Sequence, residues 1–102
     1  MKIEASRLQP GMVVNIGNKK YKHICLVTAV EGFVEVEYTH FDAEDPYWGQ
    51  CVGTISGKKL VKVLTGKKRK SIIQNILDEV FKRLHDVEKD KDTIYLIQAM
   101  SK

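Results

Sequence analysis

Two hydrophobic periods divide this chain, and the switch between them fixes most of what it can fold into. From Met12 to Leu64 the apolar residues come in short runs or alternate strictly, as in "FVEVEYTHF" (Phe33–Phe41). That is the two-residue period of half-buried strands. From Ile72 onward the spacing changes: Ile72, Ile73, Ile76, Leu77, Val80, Phe81, Leu84 and Val87 recur as on one face of a helix,. The pattern predicts a run of strands followed by one amphipathic helix.

Turn chemistry cuts the first part into five strands. Pro10 and Gly11 precede Met12–Ile16, and Gly17 to Lys20 form a polar turn before "YKHICLVTAV" (Tyr21–Val30), whose near-continuous apolar character suits a central strand,. Glu31 and Gly32 read as a two-residue hairpin, with Val34, Val36 and Tyr38 facing one way and Glu35, Glu37 and Thr39 the other,. After the loop "DAEDPYWGQ", the segments "CVGTI" and "KLVKVL" form a second hairpin about Ser56–Lys58,. Short strands at these intervals predict a small five-stranded barrel, with Gly49 and Gly53 as the bend or bulge positions that close it,. Residues 1–66 make the barrel. Residues 67–102 add a basic linker, the helix and a C-terminal segment of the same domain, since 102 residues supply one core,.

Ser71 with Gln74 three residues later fits a capping box, which starts the helix at Ser71 and leaves "GKKRK" as a linker in front of it,. Charge is segregated along the chain. Residues 1–30 hold five basic side chains against one acidic, residues 31–48 six acidic and none basic, and residues 49–70 seven basic and none acidic. A net charge of +4 alone says little about partners, but the last of these segments has the footprint of a phosphate-backbone contact: Lys58, Lys59, Lys62, Lys67, Lys68, Arg69 and Lys70,. Cations at a helix start oppose the helix dipole, and a bound anion would relieve them. The competing reading is that these side chains solvate a connector and balance the acidic strand beside them.

The motif "GKKRKS" is not a phosphate-binding loop of the Walker type, because no hydroxyl directly follows Gly66–Lys67 and no upstream glycine stands at the required spacing,. Phe41, Tyr47 and Trp48 put aromatic rings near a lysine-rich hairpin, an arrangement that stacks single-stranded bases. As the only tryptophan, and a large aromatic that buries well, Trp48 is read by preference as a plug of the barrel end, and the acidic Asp42, Glu44 and Asp45 favour a basic protein partner at that loop,. His23, Cys25, His40, Asp42 and Cys51 are metal-ligand types at no compact zinc spacing, so no metal or cofactor is expected,. Cys25 and Cys51 read as reduced, buried thiols,. No apolar run approaches the roughly 18 residues of a membrane span, and "MKIEASRLQPG" lacks a signal-peptide core; a cytoplasmic location follows as the expectation,.

Over Leu8–Tyr38, "LQPGMVVNIGNKKYKHICLVTAVEGFVEVEY", the chain resembles the opening of an SH3-like small barrel and, more loosely, a KOW-type motif. The similarity covers about a third of the sequence, and "KKYKHI" stands where the KOW pattern usually has a Lys-Gly step. Domains of that group bind RNA, DNA or proteins in transcription and translation, so the resemblance implies a non-catalytic binding module. Two readings follow. One is a low-specificity nucleic-acid binder using the basic segment. The other is a protein-interaction adaptor or inhibitor using Tyr47 and Trp48, or the helix seam of Ile73, Leu77, Val80 and Leu84. The seam is wider than one small barrel covers, which predicts a homodimer through the helix, unless "TIYLIQAM" folds back over it and leaves a monomer,.

Overall fold

The computed structural model describes residues 1–44 and 50–83, with side chains as far as Glu79. Tyr47, Trp48, Gly49, the side chain of Val80, Phe81, Leu84, Val87 and the segment "TIYLIQAM" lie outside the described residues, and the expectations attached to them with it. The architecture is mainly β with one helix. Its strands are β1 (Lys2–Glu4), β2 (Val13–Asn15), β3 (Ile24–Glu31), β4 (Glu35–Asp42), β5 (Gln50–Ser56) and β6 (Leu60–Leu64), followed by α1 (Gly66–Arg83). All six strands join one antiparallel sheet in the order β1-β6-β2-β3-β4-β5. The sheet is open, with β1 and β5 at its edges, rather than a closed five-stranded barrel.

The additional strand is β1. Its three residues pair with β6 through Lys2↔Lys62, Ile3↔Val61 and Glu4↔Leu60. A strand this short carries no readable alternation, and it exists because β6 offers it a partner. A single 3₁₀ turn at Ala5–Arg7 then carries the chain past the β5–β6 hairpin, where the Ala5 amide donates to Lys59 O (2.8 Å) and the Ser6 amide to Gly57 O (2.9 Å). The turn into β2 is of type II: Pro10 occupies its second position, Gly11 its third at φ 94°, and the Met12 amide donates to Gln9 O (3.2 Å),.

The irregularity in the sheet's pairing falls at a residue the sequence did not single out. The β3–β4 register shifts between Val27 and Ala29, leaving Thr28 as the bulge,. Its buried hydroxyl stands 2.7 Å from Gln50 Oε1 and 3.2 Å from Thr39 O, one proton serving two acceptors. Gly53, expected to bend the sheet, instead lies in regular β4–β5 pairing opposite Tyr38. Its role is steric: a Cβ there would come 2.5 Å from the Tyr38 ring. The β3–β4 turn holds three residues, Gly32 to Val34, so Val34 is not in β4 and is 84% exposed, while Val36 and Tyr38 point inward as the alternation required.

Both faces of the sheet are apolar where they are covered. Val14, Cys25, Val27, Val36, Tyr38, Val61 and Val63 pack on one side with Ala5 and Leu8 from the opening segment. Val13, Leu26, Phe41 and Leu64 on the other side meet Ile73, Ile76 and Leu77 of α1. Burying each of those three helix side chains contributes roughly 1.5–3 kcal/mol. They are 1%, 0% and 7% exposed. Ile73 and Leu77 are therefore committed to the sheet and unavailable as a partner-binding seam, and Ile76 is buried with them. The sheet covers a wider sector of the helix than the sequence suggested because Ile73, Ile76 and Leu77 all pack on residues of four adjacent strands, Leu64 of β6, Val13 of β2, Leu26 of β3 and Phe41 of β4.

Candidate nucleic-acid interface

The helix begins at Gly66, five residues before the expected cap, so the basic run is its first turn rather than a linker. That turn contains no acidic residue. Lys67 and Lys68 thus add full charges to backbone amides that already have no intrahelical acceptor. They extend over the part of the sheet that the apolar contact leaves open.

Strand register supplies the rest. Lys2, Lys62 and Asn15 stand side by side across β1, β6 and β2, on the same face as Leu64 and Val13. A cavity of about 420 Å³ lies between this face and the helix start; Lys22, Lys62, Lys67 and Lys68 surround it, with Ile24, Leu64 and Ile72 as aliphatic lining. A second recess of about 660 Å³ adjoins it, bordered by Lys2, Lys19, Lys22, Lys59 and Lys62. Asn15, Lys22 and Lys62 line both, so the two recesses adjoin as one lysine-rich surface, the groove. Among the described residues none of these seven lysines forms an ion pair; the pair present is His23 with Asp42, at 3.6 Å, elsewhere on the sheet.

The loop that carries Lys19 and Lys22 is tied down by two asparagines. Asn15 Oδ1 accepts the Gly17 and His23 amides, each at 3.0 Å, and Asn18 Oδ1 accepts those of Lys20 (2.9 Å) and Tyr21 (2.7 Å). Such local side-chain bonds fix a turn that would otherwise sample many conformations. Its lysines therefore project from a defined backbone.

Of the residues expected at the interface, Lys59, Lys62, Lys67 and Lys68 come together in the groove. Lys58 does not: it sits in a separate recess with Glu4, Phe33 and Val34. Lys70 is exposed on α1 but borders neither cavity. Arg69 is half-buried, and its Nε and a terminal nitrogen donate to Gly11 O at 3.3 and 3.1 Å, pinning the helix to the type II turn before β2. Phe41 is 1% exposed beneath α1, so it cannot stack on a base. The groove members that the sequence reading passed over, Lys2, Lys19 and Lys22, belong to the basic N-terminal third; their signal was that local charge excess, without the register that joins it to β6.

The cluster of metal-ligand types has a different character. Cys25 lies opposite Asp42 and His40 opposite Cys51 across neighbouring strands, and the His23 and His40 rings meet edge-on with centroids 5.4 Å apart. Among the described residues, however, no three such side chains are disposed to hold a metal ion. Burial, with Asp42 adding to it, pushes the Cys25 thiol up to about 12, so it stays protonated. Cys51 is exposed, contrary to the expectation of two buried thiols, and no disulfide joins it to Cys25. His40 is 4% exposed with Nδ1 unpartnered among the described residues, and burial holds its imidazole below the usual histidine value.

Comparison with protein-family models, characterised proteins and solved structures finds no match to this chain. Among the described residues, no helix is long and apolar enough to cross a membrane.

Proposed function

We propose that this protein is a non-catalytic nucleic-acid-binding module that grips the phosphate backbone in its lysine groove. One observation carries the reading: lysines distant in sequence, from β1, the β2–β3 loop, β6 and the first turn of α1, border two adjoining recesses with no carboxylate paired to them among the described residues. Cations so placed repel one another, and polymeric phosphate offsets that repulsion while releasing its own counterions. Contacts of this kind position a backbone and carry little sequence information. The run β6-β2-β3-β4-β5, with its bulge at Thr28 and the Ala5–Arg7 turn against the β5–β6 hairpin, supports an SH3-like classification and, by that resemblance, a place in transcription or translation.

The test compares two variants. Replacing Lys62, Lys67 and Lys68 together by Gln should weaken oligonucleotide binding across all sequences, whereas Lys58→Gln, in its separate recess, should leave it within about twofold. The same loss per charge removed in both variants would show that net charge, not the groove, drives association.

A further inference from the structure

The groove is not uniformly polar, and its apolar part says more about the ligand than its charge does. Ile24, Leu64 and Ile72 form an aliphatic floor between the ammonium groups of Lys22, Lys62, Lys67 and Lys68. Its volume of about 420 Å³ falls within the roughly 300–1,000 Å³ typical of small-ligand sites. A duplex would present phosphates to the rim and leave that floor wet, because its bases are stacked and paired inside. An unstacked base can enter it with the phosphates on either side resting on the lysines.

A second feature of the same edge points the same way. Tyr21 is 70% exposed, between Lys20 and Lys22 in the loop that Asn18 fixes. Lys20 Nζ lies 5.6 Å from the ring centroid. A large exposed aromatic on a turn whose backbone is already bonded, flanked by cations, is the kind of surface on which a base stacks. Nothing in the core needs this ring.

We propose that the ligand is single-stranded nucleic acid, with one base entering the aliphatic-floored cavity at the start of α1 and another stacking on Tyr21. This rests on the nucleic-acid reading above and narrows it to strands with accessible bases. The lysines contact the intervening phosphates, and neither apolar element distinguishes one base from another by hydrogen bonding, so selectivity lies in strandedness rather than sequence.

The experiment titrates the full chain with labelled oligonucleotides of one mixed sequence, single-stranded and as the duplex, at low salt. Single strands should bind about tenfold or more tighter than duplex, and Tyr21→Ala should cost the single strand about tenfold while leaving the duplex unchanged. Tyr21→Phe, which keeps the ring, should retain wild-type affinity; so exposed a position leaves the fold intact in either variant. If the Lys62/Lys67/Lys68→Gln protein loses both ligands but Tyr21→Ala loses neither, or the duplex binds as tightly as the single strand, the backbone reading stands and the single-strand inference is overturned. If neither oligonucleotide binds the wild-type chain at low salt, both fall.

Discussion

Replacing Lys67 and Lys68 by Gln should make the protein more stable and less able to bind. Both side chains are exposed in the first helical turn, where the amides of α1 point outward and no carboxylate answers them. A cation there forfeits about 0.3–1 kcal/mol against a neutral residue at low ionic strength. Removing two, and with them the repulsion from Lys22 and Lys62 across the cavity, should yield about 1 kcal/mol; Gln and Lys have nearly the same helix propensity, so that term cancels. For a chain of this size 1 kcal/mol corresponds to about 4–8 °C in melting temperature. Thermal unfolding followed by far-UV circular dichroism at low salt measures the gain, and it should shrink as salt is added. Oligonucleotide affinity measured on the same samples should fall. A variant that melts at or below the wild-type temperature would refute the claim that these lysines oppose the helix dipole, and one that binds undiminished would refute their part in the groove.

Three further outcomes follow from individual contacts. Arg69→Met keeps the aliphatic stem but loses both bonds to Gly11 O; melts should drop by an amount equivalent to about 1.5–3 kcal/mol, as expected for bonds from a charged donor sharing one acceptor, with salt-dependent binding little changed. Gly53→Ala drives a methyl into the Tyr38 ring and should cost about 1–3 kcal/mol, but add little further loss when made in a Tyr38→Val background, where the ring is absent. His40 titrates below its unfolded value of 6.5 because it is buried, with His23 adding to the effect and the Tyr38 backbone and Asp42 opposing it. The unfolded chain therefore takes up the proton first as pH falls: stability is whole above pH 6.5 and declines below it, by at most about 1.4 kcal/mol per pH unit until the folded value is reached. The decline should flatten in His40→Gln in urea titrations across that range.

The parts of the fold legible in the sequence are those written as local pattern. Alternation in "EVEYTHF" placed Val36 and Tyr38 inside correctly, and Pro10–Gly11 gave the turn before β2. What failed to show was set by pairing at a distance. The strand at Lys2–Glu4 has no signal until β6 is beside it, and the bulge at Thr28 depends on Gln50 across the sheet. The helix start was misplaced because Ser71 and Gln74 satisfy a capping pattern that the tertiary structure overrides: Arg69 anchors at Gly11, which requires the turn holding it to be helical already. The same holds for the basic segment: adjacency in sequence groups Lys58, Arg69 and Lys70 with Lys59, Lys62, Lys67 and Lys68, whereas pairing across the sheet brings Lys2, Lys19 and Lys22 beside the latter four and leaves Lys58 in a separate recess.

The groove's claim is at bottom a claim about how many phosphates it neutralises, and the salt dependence of binding counts them. Affinity of the full chain for a single-stranded oligonucleotide, measured over a series of salt concentrations, should fall linearly on a double-logarithmic plot. If four to seven of the groove lysines each meet a phosphate, the slope lies between about −3 and −5. A slope near zero, or no binding at the lowest salt, would contradict the assignment of this groove to nucleic acid.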